Sequence, residues 1–394
     1  MSLLISKKFT GLPYDMVLKD GLVRKSAGQE TTDFTFGVPS SVDSVEQLFK
    51  VFTHEKVEQV PEEYVKSFGE CGYKGEVPWS YVIPKHVYLP LLKRQLGQIS
   101  DAYSAVQESS YASLFRESNE LFSFLKSSRI DKQLADRFLQ DGDNHVLKSI
   151  AGSCNDKGII PVPVYDRSST KTGRLVVKQG PQILTMKKEH RTIFRPVNPL
   201  NRIYEIDFRS LEPRVAANIA EQDCGADVYS SFTEASGLNV SRDVAKLAVL
   251  CALYGAGKYR LESVLSKGSS NVSARALLSS VREYFAVNKM AKSLLKEAES
   301  GKITNCFGRP IEVDDRRDTM LVNNFLQSSA VDVSLLGFLD FCKRFDYVRP
   351  LFIIHDALMF ECSPEHLGAV REYVDNGFAI QKLGNFPLKL TELS

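Results

Sequence analysis

The chain has no long apolar run, no paired cysteines and no surplus charge of either sign, and each gap excludes a class of protein. Its longest uninterrupted apolar stretch, Leu247 to Tyr254, falls far short of the roughly 20 residues that a membrane-spanning helix needs. At the start, Leu3-Leu4-Ile5 is too short for a signal-peptide core, and Lys7 and Lys8 follow it instead of preceding it. A cytoplasmic protein without a membrane partner is therefore expected. The cysteines (71, 154, 224, 251, 306, 342, 362) stand singly, with no Cys-x-x-Cys pair and no nearby histidine cluster, so neither a zinc site nor a disulfide framework is indicated. A net charge of +2 argues for no polyanionic partner.

What is present is enough chain for two or three subdomains: 394 residues, 43% hydrophobic and 25% charged. Charge is distributed unevenly. From Arg167 to Arg195, eight basic residues (Arg167, Lys171, Arg174, Lys178, Lys187, Lys188, Arg191, Arg195) face a single acid, Glu189, a stripe able to neutralise phosphates and release counterions. It leads into Arg202 to Phe208, an alternating strand that ends at Asp207 and is followed by Leu211, Val215, Ala216 and Ile219 at helical spacing. Pro213 is tolerable there because the first helical turn has no intrahelical partner for its N–H. Near the C-terminus, apolar runs on either side of His355-Asp356 predict a β-hairpin over Leu351 to Cys362 with a carboxylate at its tip. Asp207 and Asp356 are expected on neighbouring strands, where two carboxylates can hold two divalent cations. Between them, Arg242, Lys246, Leu250 and Tyr254 recur every four residues, about 6 Å of helical rise per step, and Gly255 follows. Cations so placed can grip a triphosphate. Val244, Leu247 and Cys251 occupy another face and are expected in the core.

In order and spacing these segments resemble motifs A, B and C of the family A (DNA polymerase I-like) DNA polymerases. Three more segments extend the resemblance: Thr172-Gly173-Arg174-Leu175, Asn305-Cys306-Phe307-Gly308-Arg309 and Asn323-x3-Gln327-x4-Asp332. The resemblance implies an α+β, right-hand polymerase fold with an antiparallel β-sheet palm, helical fingers and a helical thumb. On that plan residues 1–85 are an N-terminal region of unassigned role, 86–150 the thumb, 151–224 the first part of the palm, 225–310 the fingers and 311–394 the rest of the palm. Apolar residues at Leu114, Phe115, Leu121, Phe122 and Leu125 suggest a packed antiparallel helical pair in the thumb.

The resemblance also implies roles. Asp207 and Asp356 would bind two Mg²⁺ ions, with Mn²⁺ able to substitute. Arg242, Lys246, Leu250, Tyr254 and Glu212 would form the nucleotide site, Lys246 acting also in catalysis by neutralising growing phosphate charge. Glu212, five residues after Asp207, sits where the family places an acid against the sugar's 2′ side, with Tyr254 hydrogen-bonded to it. Arg174, Asn323, Gln327, Arg309 and His355 would contact primer–template DNA, the first three at minor-groove acceptors where base-pair shape is checked more than sequence, with Arg309 either on the template or stabilising the base of the fingers. Two departures stand out: Ala357 replaces the glutamate that usually follows the motif C aspartate, and Leu250 replaces an aromatic residue. Upstream, the one acidic pair of proofreading type within the first 150 residues, Asp141-Gly142-Asp143, lies in a glycine turn, so no 3′–5′ exonuclease is expected.

The expected protein is a monomeric, phage-like DNA polymerase module of a bacterial or phage-infected cytosol, using dNTPs and primer–template DNA. The sequence carries no signal for a helicase, clamp or separate exonuclease. Its rivals are a single-subunit RNA polymerase or primase-like enzyme, which Glu212 opposes while Leu250 and Ala357 keep it open, and a catalytically silent DNA-binding replication factor.

Overall fold

The computed structural model describes residues 2–28, 30–37, 45–53, 57–58, 62–71, 78–140, 142, 144–255, 258–267, 272–381 and 383–393. Both aspartates of the Asp141-Gly142-Asp143 pair lie outside these residues. The chain divides into two units, Met1–Asn119 and Glu120–Ser394.

The first unit is built on a small sheet in the order Leu22–Lys25, Met16–Lys19, Ser2–Ile5, Phe34–Phe36. The first three strands are antiparallel neighbours, and Phe34–Phe36 runs parallel to Ser2–Ile5. Leu3, Ile5, Val17, Phe34 and Phe36 are buried, whereas the Leu22–Lys25 edge is exposed throughout and carries Arg24 and Lys25, charges that discourage further strand pairing. The Lys85–Glu108 helix packs on the Val45–Thr53 helix. Two contacts fix it further: Tyr88 Oη donates to Thr10 O at 2.8 Å, and the Arg94 guanidinium grips Glu58 at 2.7 and 2.8 Å.

Residues 86–119 fall in the first unit and 120–150 in the second, so the division between units falls within the 86–150 segment. The Lys85–Glu108 and Ser110–Phe124 helices are separated by Ser109 alone.

In the second unit a four-stranded antiparallel sheet runs Arg349–Ile354, Ala357–Cys362, Arg202–Phe208, Leu388–Glu392. Strand alternation puts Tyr204, Ile206 and Phe208 on one face. The 27-residue Asp318–Arg344 helix covers that face, with Phe338 5.4 Å from Phe208 and Phe341 5.0 Å from Phe360 between ring centroids. Truncating a buried phenylalanine such as Phe338 would cost about 3–5 kcal/mol. By length and apolarity that helix could cross a membrane, yet most of it is buried, and it carries Asp332 and three buried serines inward: it is the core helix of this unit. Residues 225–310 are mostly helical, as expected, with helices at Val228–Ser236, Arg242–Tyr254, Lys258–Lys267, Ala274–Tyr284 and Val287–Glu297. The hairpin of Lys302–Thr304 and Pro310–Glu312 closes the region.

Candidate active site

Register brings the two aspartates together. Asp207 pairs with Ala357 across the sheet, so Asp356 lies one residue beyond, in the hairpin turn, and Phe208 N–H donates to Asp356 O at 3.1 Å. The hairpin is pinned by the buried Tyr165, whose hydroxyl donates to Ile353 O at 2.9 Å and accepts from Ile353 N–H at 3.0 Å. At the tip His355 has a φ of 58°, a left-handed conformation costly for a side chain of this size, and only this first turn residue is of positive φ. Ser210, just after the Asp207 strand, has a φ of 54°. Backbone strain thus flanks both carboxylates, a pattern concentrated at functional sites.

The carboxylates repel. Burial, then the nearby Asp356 charge, pushes Asp207 up to about 6; burial, then Glu212, raises Asp356 above the usual carboxylate range. The cation nearest Asp207 is the exposed Lys188, with Nζ 3.5 Å from Asp207 Oδ2 and 3.9 Å from Glu205 Oε1. No group of three or more His, Cys, Asp or Glu side chains suited to a metal occurs among the described residues. Two hard oxygen donors short of cationic charge nevertheless fit Mg²⁺, which takes one or two carboxylates and fills its remaining positions with water and substrate phosphates.

The Arg242–Tyr254 helix starts at Ser241, whose Oγ accepts Val244 N–H at 3.4 Å, and stops at Gly255. Gly255 is required twice over: its φ is 70°, and a Cβ there would meet Thr319 Oγ1 at 2.8 Å. Cys251 is buried and Val244 and Leu247 pack on the core, as the spacing predicts, leaving Arg242 and Lys246 exposed and Leu250 half-buried. Arg242 is engaged here: it donates to Asp227 at 2.8 and 2.9 Å and lies over the Tyr229 ring at 5.2 Å. Lys246 has no such anchor among the described residues. Burial raises the Tyr254 hydroxyl well above the usual tyrosine range, with Glu212 the next cause. The two are electrostatic neighbours, but the expected hydrogen bond does not form. Glu212 instead lies 3.7 Å from Arg174 Nη2.

A cleft of about 170 Å³ opens at Asp356, lined by Arg174, Glu212, Gln327 and His355 among others. Thr172 Oγ1 donates to Gln327 Oε1 at 2.6 Å and so orients that amide. Burial, then Arg174 and Arg191, hold the His355 imidazole below the usual histidine range, which favours its neutral form. Asn323 lies one helical turn before Gln327, partly exposed.

Two expectations fail. Arg309 is 1% exposed, and its guanidinium donates to Arg167 O at 3.1 Å and Thr170 O at 3.2 Å beneath Gly173. It braces the Thr172–Leu175 segment and does not reach a template strand. The basic stripe is also largely consumed, since all eight of its side chains sit beside carboxylates: Arg167 with Asp332, Lys171 with Asp314, Arg174 with Glu212, Lys178 with Asp166, Lys187 with Glu189, Lys188 with Asp207, Arg191 with Glu205 and Arg195 with Asp131. Sequence reasoning missed Glu205 and Asp227. Glu205 could have been found, because it stands two residues before Asp207 and shares its strand face. Asp227 carries no local signal.

Adjacent strand ends bearing two carboxylates, with the exposed Lys188 beside one of them, next to a helix that presents cations, are the arrangement expected of a right-hand polymerase. Residues 118–391 match the model of DNA polymerase family A, more than two thirds of the chain, and the chain belongs to that family. Among curated proteins it is similar to a DNA polymerase of Mycobacterium phage L5, with 31% identity over a 137-residue alignment that covers 33% of this chain and 22% of the phage protein. The aligned stretch thus spans about a fifth of that relative. Among solved structures it is similar in fold to the POL domain of Pol1 from M. smegmatis in complex with DNA primer-template and dNTP. That likeness has a TM-score of 0.65 at 12% identity and covers 99% of this chain and 94% of that one.

Proposed function

We propose that this chain is a template-directed, DNA-dependent DNA polymerase that extends a primer with dNTPs. The observation that carries the reading is the registered pair Asp207 and Asp356, two carboxylates raised by burial and by neighbouring negative charge at the ends of adjacent strands. Two Mg²⁺ ions held there would stabilise the attacking 3′-oxygen and the leaving pyrophosphate oxygen. The sheet serves as palm and residues 225–310 as fingers. Lys246, exposed and unanchored, contacts the triphosphate first. Arg242 joins it by exchanging Asp227 for a phosphate, a charge-for-charge replacement. Glu212 stands against the 2′ side of the sugar, and Tyr254 crowds it from the helix end. Arg174 and Gln327 reach the minor groove of the primer-terminal pair, and the neutral His355 lies near the primer-terminal phosphate.

Primer extension on a defined template with Mg²⁺ tests this. The expected result is extension with dNTPs, and a loss of at least about 10²–10³-fold in Asp207→Asn and Asp356→Asn, the scale of removing a group that stabilises transition-state charge. Extension with rNTPs, or initiation without a primer, would favour an RNA polymerase or primase-like enzyme. DNA binding without extension would leave a silent replication factor.

A further inference from the structure

On the Val287–Glu297 helix, Met290, Ala291 and Leu294 are buried and the helix packs along the Asp318–Arg344 helix. The opposite face carries Lys289, Lys292 and Lys296, spaced three and four residues apart and therefore on one side. Together with Arg316 they line an open cleft of about 660 Å³, in which Glu299 is the single acid and Leu295 is partly exposed. Among the described residues none of these four cations lies in a salt bridge, unlike every base of the Arg167–Arg195 stretch. Uncompensated cations in a cleft without an aromatic ring suit a phosphate backbone, held through charge and not through base stacking.

Position decides which strand. Along the Asp318–Arg344 helix, Ala330 to Leu335 border Asp356, Gln327 meets Thr172, Thr319 abuts Gly255 at the end of the nucleotide-gripping helix, and Arg316 in the cleft comes just before the helix begins. That sequence of primer end, nucleotide helix and cleft is the order of a template strand from copied, through the base being copied, to uncopied. From Asp318 to Gln327 is about 14 Å of helical rise, or roughly four nucleotides of strand.

We propose that the Lys289, Lys292, Lys296 and Arg316 cleft holds the backbone of the uncopied, single-stranded template ahead of the active site. The inference rests on the polymerase reading above. Binding of primer–templates is measured against salt for the whole chain and for the triple variant Lys289→Gln, Lys292→Gln, Lys296→Gln, with a 5′ template overhang of about ten nucleotides or of one. Each single-strand phosphate contact contributes about 0.7 to the log–log salt slope, so the variant should lose about 2 from the slope on the long overhang alone. Single-nucleotide insertion on the short overhang should be unchanged, and the triple Lys→Arg variant should bind as the parent does, which separates lost charge from lost fold. Equal binding by variant and parent on the long overhang overturns the proposal. So does an equal loss on both overhangs, which would place the contact on upstream duplex, or a loss seen only when the overhang is annealed to a downstream strand. If the parent chain binds neither primer–template, it is the polymerase reading that fails.

Discussion

Asp332 lies in the long Asp318–Arg344 helix and Asp356 borders the same helix, and the fold treats the two oppositely. Asp332 is fully buried in that helix, with Arg167 against one oxygen and Asn305 Nδ2 at 2.6 Å from the other. Asp356 borders the cleft lined by Ala330, Val331, Ser334 and Leu335 of that helix, and among the described residues neither it nor Asp207 is in a salt bridge with an arginine, Asp207 meeting only the exposed Lys188. The first carboxylate is neutralised from within and fixes the Asn305–Arg309 loop in place. The second pair is left short of cation, which is the condition for binding one from solution. The basic side chains divide similarly: those of 167–195 are spent on carboxylates, and those of the Lys289 face are not. A function is better located by the charge a fold leaves over than by the charge its sequence concentrates.

The comparison can be broken at four points. Asp332→Ala removes the carboxylate that Arg167 is buried against and should cost about 3–5 kcal/mol of stability, read by denaturant unfolding; a loss below 1 kcal/mol would deny the network its structural role.

Asp207 should show the reverse behaviour. Its folded value of about 6 lies above the ordinary 3.8, so the folded state holds the proton more tightly and stability falls as pH rises between those values. In the metal-free protein this drop should approach roughly 3 kcal/mol by pH 7, and Asp207→Asn should abolish it. A parent chain that gained stability over that range, after subtraction of the variant's curve, would contradict the repulsion.

Glu212→Ala should raise ribonucleotide incorporation about 10–200-fold, the range for removing a steric contact worth 1–3 kcal/mol. Unchanged sugar selectivity would mean that Glu212 serves only Arg174. The smallest effect is expected from Leu250→Phe, which restores a ring and should tighten nucleotide binding by about 0.5–1.5 kcal/mol and alter dideoxynucleotide use. If neither changes, Leu250 does not face the nucleotide.

Much of the site was legible because its signals are local. Strand alternation around Asp207 and around the His355-Asp356 tip, and the four-residue spacing from Arg242 to Tyr254, each lie within one element, and all three elements form as the spacing predicts. Pairing partners were not legible. Asp227 reaches Arg242 from 15 residues away, and Asp332 reaches Arg167 from 165, distances over which only the completed fold decides who meets whom. For the same reason the sequence left open whether Arg309 meets the template or braces the fold, and its burial decides for the second. The boundary at Asn119 was hidden because it falls inside a helix, Ser110–Phe124, where periodicity continues unbroken.

Binding of Mn²⁺ as a spectroscopic substitute, followed by electron paramagnetic resonance on the chain held with primer–template and a non-reacting dNTP analogue, addresses the Asp207 and Asp356 pair most directly. The account predicts bound Mn²⁺ in the parent chain and its loss in both Asp207→Asn and Asp356→Asn, with the fold of each variant intact. Variants that bind as many ions, as tightly, as the parent would contradict it.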